Sequence, residues 1–207
     1  MKKQWITIGI LLLIVSVVFT VIITKVDVKA IGPENSAVGL SSINNKLTFE
    51  YNEKVYKVSK YLGYVALAIP VVYALIGLVQ LIKGKSLSKV DKRLFALAIF
   101  YVAVLATYVL FEKVVINYRP VILDEGLEAS YPSSHTLMSI CFTISAIIIN
   151  KSMFKDKTKL INIGLLLLGF AIVVGRYVSG VHWFTDITGS VLISITLLSF
   201  LKAFIKE

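Results

Sequence analysis

Cysteine occurs once in this chain, at position 141, and histidine only twice, at 135 and 182. A single cysteine excludes an internal disulfide and any multi-cysteine metal site, and Cys141 reads as a small core residue. Acidic side chains are also few: 12 Asp and Glu stand against 22 Lys and Arg. Near the histidines the only acidic alternative for a metal is Asp124, Glu125 and Glu128, in a loop without recognisable ligand spacing. Metal-free chemistry without a cofactor is therefore favoured. No Pro/Gly/Ser-rich linker, internal repeat or low-complexity tract divides the 207 residues, so 1–207 reads as a single domain. Charge itself is scarce, at 16 % of residues, well below a soluble domain.

What fills the chain instead is apolar: 57 % of residues are hydrophobic. Six apolar stretches stand out, at 5–24, 61–82, 94–111, 136–150, 160–175 and 183–201. A spanning helix needs roughly 20 residues, so the fourth and fifth are short and must gain a turn from their flanks or lie inside a bundle. The expected fold is all-α: a polytopic membrane protein, a bundle of six transmembrane helices. Basic residues precede the first stretch, but its length exceeds a signal-peptide core and no small-residue cleavage site follows, so it reads as a retained anchor. Most of the lysines and arginines fall at 1–3, 83–93, 151–159 and 202–207. By the positive-inside rule both termini face the cytoplasm. A net charge of +10 is spread between membrane segments rather than on a basic domain, which argues against nucleic-acid binding. Anionic headgroups of the membrane lipids are the natural neighbours of those loops.

In this topology the connections 25–60, 112–135 and 176–182 face outward, and the last two hold both histidines. Arg119-Pro120 is an extended dipeptide, because proline pushes its predecessor out of the helical region. Tyr131-Pro132-Ser133-Ser134 reads as a helix start with a serine available as cap, and a helix N-terminus is a ready anion site. The four-residue spacing of His182 and Asp186 predicts one helical face, with Asp186 accepting from one imidazole nitrogen and freeing the other. Each residue alone has an ordinary reading: a snorkelling arginine at 176, capping serines, and belt aromatics at Tyr177, Trp183 and Phe184. Those readings weaken jointly, because two histidines, two arginines and an aspartate converge on one membrane face. Two arginines beside backbone amides would clamp a phosphoryl group. The 25–60 connection could form an interfacial amphipathic element near the site, or an ordered loop without substrate contact.

The segments EKVVINYRP, PSSH and GRYVSGVHWFTD, in that order within 112–186, give the chain a resemblance to the type 2 phosphatidic acid phosphatase family of membrane lipid phosphatases, relatives of the vanadium haloperoxidases. That family carries lysine, six residues and Arg-Pro; then Pro-Ser-Gly-His; then Ser-Arg, five residues, His, three residues and Asp. Three positions depart from the pattern: Ser134 replaces glycine, Gly175 replaces serine, and Glu112 holds the lysine position with Lys113 one residue nearer Arg119. The resemblance implies that His182 attacks phosphorus to form a phosphohistidine, oriented by Asp186. It further implies that His135 protonates the leaving oxygen and later activates water. Arg119, Arg176 and the amides around Ser133 and Ser134 would hold the phosphoryl oxygens, helped by Lys113.

The function expected is hydrolysis of a lipid phosphate or diphosphate at the outer face of a bacterial cytoplasmic membrane. Undecaprenyl diphosphate and phosphatidylglycerol phosphate lead the candidate substrates, followed by phosphatidate. Two other readings stay open: a transferase passing the phosphoryl group to a second lipid, and a transporter or binding protein that only recognises phosphate. Transporter sites usually lie at the bilayer midplane in broken helices, whereas these motifs lie at span ends.

Overall fold

The computed structural model describes residues 2–124 and 126–205, apart from the side chain at 156; of the residues considered above, Glu125 lies outside it. Among the described residues seven α-helices follow one another: α1 Lys2–Lys25, α2 Ser41–Leu47, α3 Glu53–Gly84, α4 Lys92–Lys113, α5 Ser134–Phe154, α6 Lys159–Val178 and α7 Phe184–Phe204. All but the short α2 are long and apolar enough to cross a membrane. Helices dominate because hydrocarbon offers no partner to a free N–H or C=O, so each span must satisfy its own backbone. Among the described residues only isolated β-bridges occur, no strands. The chain is a multi-pass membrane protein.

The two stretches that looked short do gain turns, reaching 21 residues in α5 and 20 in α6. They differ in placement. Half of the span of α5 and 56 % of that of α7 are buried, against 17 % for α1, α3 and α6. The buried helices are the polar ones: Thr136, Ser139, Thr143 and Ser145 on α5, and Ser190, Ser194, Thr196 and Ser199 on α7 are all buried. Small polar residues let membrane helices approach closely and exchange hydrogen bonds. Ser190 and Ser194 accordingly donate to the carbonyls of Ser133 and Leu137 at 3.0 and 3.4 Å. Around this pair the apolar core gathers Leu97, Val104, Leu137, Ile149 and Ile172.

α1 packs along α7, antiparallel to it. Ser16 and Thr196 share a hydrogen bond of 3.1 Å, and Thr20 meets the Tyr131 hydroxyl at 2.8 Å. α3 has 32 residues, roughly 48 Å at 1.5 Å per residue, longer than a hydrocarbon core of roughly 30 Å. Its first turn is capped by Asn52, whose side chain accepts from the Val55 amide. At the opposite end Arg93 ties α4 to α5, donating to Ser152 Oγ at 2.9 Å while paired with Asp91.

The 25–60 connection is an ordered element that grips the α6–α7 turn. Asn44 on α2 donates to Thr185 Oγ1 and accepts from the Thr185 amide, at 3.0 and 3.1 Å. Asn52 N donates to Ser179 O, and the Tyr177 hydroxyl donates to Leu47 O. Gly180 sits at φ +69°, where a Cβ would lie 2.4 Å from Phe49 O. Only glycine allows that approach without strain.

Candidate active site

His182, Asp186, Arg176 and Arg119 lie at one end of the bundle with exposures of 1, 0, 0 and 9 %. Four elements supply them. Arg176 lies in the last turn of α6, His182 stands in the α6–α7 turn, Asp186 lies in the first turn of α7, and Arg119 comes from the loop after α4. That loop is folded back on itself: Arg119 N donates to Glu128 O, Ser130 N to Asn117 O, and Tyr118 bridges Ala129. Trp183 Nε1 donates to Tyr118 O at 2.7 Å and fastens the loop to the start of α7.

The expected pairing of His182 with Asp186 takes a different form. α7 begins at Phe184, so His182 lies outside the helix and the four-residue spacing does not put the two on one helical face. Nδ1 of His182 is 3.8 Å from Asp186 Oδ2, too far for a hydrogen bond. Ser130 Oγ stands between them, 3.0 Å from Nδ1 and 2.5 Å from Oδ2. A carboxylate only accepts, so the serine hydroxyl donates to Asp186 and accepts from Nδ1–H. On the other side Arg176 Nη2 donates to Nε2 at 3.1 Å, and guanidinium only donates. Both partners assign the same tautomer, with the proton on Nδ1 and the lone pair on Nε2. Asp186 also accepts from the Trp183 amide at 2.9 Å, as an N-terminal helix acid does, and from Asn117 Nδ2 at 3.3 Å. Burial first, then the positive charges of Arg176 and Arg119, hold the His182 pKa well below 6.5. The imidazole is therefore neutral at physiological pH.

Around that imidazole, donors are left over. Arg119 Nε and Nη1, Arg176 Nε and Nη1, and Ser133 Oγ are buried without a hydrogen-bond partner among the described residues. Arg119 is half engaged, its Nη2 bound to Glu128 at 2.8 Å. Ser133 does occupy the N-cap of α5, but the side-chain cap expected there does not form. The reason is packing: Ser133 is fully buried and its own amide donates to Asp186 O, which fixes it against α7. Ser134, in the first turn, lines the small cleft beside His182 together with Ser130, Tyr108, Phe111 and Leu137. Glu112 lines that cleft too, while Lys113 is exposed on the end of α4 and does not.

His135 follows on α5, half-buried against α3. A Cβ at Gly63 would meet its Cδ2 at 2.5 Å, and the Tyr64 ring lies 6.4 Å from the imidazole. The charges of Arg176, Arg119 and Lys60 act on it. Arg176 Cζ lies over the Tyr56 ring at 5.0 Å, and Lys60 Nζ is 5.7 Å from the same ring.

The structure thus brings together His182, Asp186, Arg176, Arg119, His135, Ser133 and Ser134, and leaves Lys113 outside. Sequence reasoning missed Ser130, Asn117, Tyr56, Lys60 and Gly63. For α3 a signal existed: Tyr56, Lys60 and Gly63–Tyr64 recur at helical spacing and form one polar stripe at the head of an apolar helix. Ser130 carries no such pattern.

The assembly offers a neutral imidazole lone pair surrounded by fixed donors, a setting for an oxyanion-rich group. Among curated proteins no relative matches the chain. A solved structure with the same architecture is the crystal structure of a transmembrane PAP2-type phosphatidylglycerolphosphate phosphatase from Bacillus subtilis. It has a TM-score of 0.61 and 18 % identity, and the alignment covers 95 % of this chain and 94 % of that one. The sequence also matches the PAP2 superfamily over residues 5–207. Because that match takes in nearly all of every span and the whole polar end, the chain belongs to the PAP2 superfamily.

Proposed function

We propose that this protein removes phosphate from a membrane lipid phosphate or diphosphate through a phosphohistidine on His182, without a metal. The observation that carries the reading is the His182 tautomer, fixed from both sides at 3.0 and 3.1 Å. A neutral Nε2 lone pair is what attack on phosphorus requires. As Nε2 bonds to phosphorus, the bond from phosphorus to the leaving oxygen breaks and His135 protonates that oxygen. Positive charge then develops on the imidazole, and the Ser130–Asp186 link stabilises it. His135, now neutral, takes a proton from water, which attacks phosphorus; the N–P bond breaks and phosphate departs.

The spare donors of Arg119, Arg176 and Ser133 hold the transferring oxygens, where preorganised charge contributes most. Arg176 Nη2 must first turn from Nε2 toward the substrate. Phosphatidylglycerol phosphate and undecaprenyl diphosphate are the leading substrates, each presenting its phosphate at headgroup depth with its tail in the bilayer. The structural likeness to a phosphatidylglycerolphosphate phosphatase favours the former.

Purified protein in detergent micelles, supplied with a panel of lipid phosphates and excess chelator, should release inorganic phosphate. His182→Ala should not. Phosphate release that needs added metal, or that survives in His182→Ala, would refute the mechanism. Transfer to a second lipid in place of free phosphate would make the enzyme a transferase.

The active site is proposed to face outward. In a Cys141→Ala background, cysteine placed at exposed Ile122 should react with an impermeant thiol reagent on intact cells, and cysteine at exposed Lys157 should not. The reverse pattern would turn the site to the cytoplasm.

A further inference from the structure

At the end of the bundle opposite His182, α5 and α6 leave between them a cleft of about 440 Å³. Its lining includes Lys151, Lys155, Lys159, Asn162, Ile163 and Leu166. Lys151 lies in the last turn of α5, Lys155 in the connection and Lys159 at the start of α6. All three lysines are exposed, and no ion pair among the described side chains engages them. Arg93, at the same end, is held by Asp91.

The wall behind them is built from buried polar groups. The Tyr73 hydroxyl donates to Asn150 Oδ1 at 2.7 Å, and Asn150 Nδ2 donates to Asn162 Oδ1 at 2.9 Å. Asn162 Nδ2 reaches Thr158 Oγ1 at 3.4 Å, and Thr158 itself donates back to Lys155 O. This ladder runs from the interior, where Asn150 is 5 % exposed, to the rim of the cleft. Thr158 is consequently not a side-chain cap for α6, whose first turn begins at the cleft uncapped. Toward the bilayer the lining turns apolar. Ile163 and Leu166 are exposed, and Phe170 continues the same helical face.

We propose that this cleft is a binding site for one anionic diacyl phospholipid, separate from the catalytic end. Lysines are compact point charges that suit a phosphodiester without demanding fork geometry, and basic pockets between spans are where anionic headgroups bind. The positive end of the α6 dipole adds to the attraction. Free phosphate would satisfy the lysines alone. A lipid also covers the apolar track of Ile163, Leu166 and Phe170 with its acyl chains. The assignment rests on the cleft and not on the reaction proposed above.

Native mass spectrometry of the detergent-solubilised protein, titrated with phosphatidylglycerol and separately with phosphatidylcholine, tests it. The Lys151→Gln/Lys155→Gln/Lys159→Gln triple should bind phosphatidylglycerol about tenfold more weakly or worse, with phosphatidylcholine unchanged. The corresponding Lys→Arg triple should keep the parental affinity, and single Lys159→Gln should lose part of it. Lys83→Gln/Lys85→Gln/Lys89→Gln, exposed at the same membrane face, should behave as the parent. Parental affinity in the first triple, or equal losses in both Gln triples, would overturn the proposal. Displacement of the lipid by millimolar inorganic phosphate would reduce the ligand to free phosphate and overturn the lipid assignment.

Discussion

The two ends of this bundle hold charge in opposite ways. At one end Arg176, Asp186 and His182 are buried almost completely, and each is fixed by neighbours from other elements. At the other, Lys83, Lys85, Lys151, Lys155 and Lys159 are exposed, and Arg93–Asp91 is the ion pair among the described residues there. A buried charge must be matched in place, because desolvation is costly unless partners replace water. Exposed lysines at a headgroup surface need no such matching and contribute a field rather than a geometry. The first arrangement suits chemistry on a phosphoryl group, and the second suits contact with lipid headgroups. Substitutions at the first end should therefore act on turnover and those at the second should not.

The largest effect short of removing the nucleophile should come from Arg176, which touches His182 and carries two further unpartnered donors. Arg176→Ala should lower kcat by about 10²–10³-fold, the usual cost of losing a preorganised oxyanion donor. Arg176→Lys guards against misfolding and should recover only part, since an ammonium cannot reproduce the guanidinium fork. Arg119→Ala should cost less, because Glu128 already takes one face of that guanidinium. An Arg176→Ala enzyme with parental kcat would erase the contrast between the ends.

Next in size is Ser130. Ser130→Ala leaves Nδ1–H of His182 and one Asp186 oxygen without their shared partner, a penalty of about 1–3 kcal/mol, or about tenfold to a hundredfold in kcat. The pH profile separates this positioning role from a structural one. In the proposed mechanism His182 attacks as the neutral base, so kcat/KM should fall as pH drops through its pKa. Since burial and the two arginines hold that pKa well below 6.5, the acid limb should lie correspondingly low. Removing Ser130 should move that limb, whereas Ser130→Thr should restore it. His135 is proposed to donate the proton to the leaving oxygen, so His135→Asn should lower kcat. An unmoved acid limb in Ser130→Ala would reduce the serine to packing.

Smallest should be the effects of the lysines. Lys113→Ala should raise KM modestly, because Lys113 is exposed and does not line the cleft beside His182. Lys60→Ala should raise KM more, since Lys60 lies close enough to act on His135. Lys83→Ala, at the far end, should leave both constants alone. Measured KM values in the reverse order would make Lys113, on α4, the lysine that meets the phosphate.

The spans were legible in the sequence because hydrocarbon thickness sets the length of an apolar run, and five turns of helix leave little ambiguity. Legible too were Arg119, His135, Arg176, His182 and Asp186, ionisable side chains that are costly beside lipid and therefore conspicuous. Ser130 was not. A lone serine has no periodicity, and its value arises only when a residue 52 positions away folds onto it. Asn44, which joins the α7 N-terminus across 141 residues, was hidden for the same reason. Local spacing also misled: His182 and Asp186 are four apart, yet the helix starts between them. The cap at Ser133 failed because the residue packs against α7 and its amide, not its hydroxyl, makes the contact.

The central claim is that Nε2 of His182 takes the phosphoryl group. Rapid quench of the purified enzyme with lipid substrate carrying a ³²P-labelled phosphoryl group tests it most directly. An acid-labile, alkali-stable label is expected that peptide mapping places on His182, that forms and decays fast enough to lie on the path to free phosphate, and that is absent in His182→Ala. Label on His135, or a full turnover of phosphate with no labelled protein at any quench time, would contradict it.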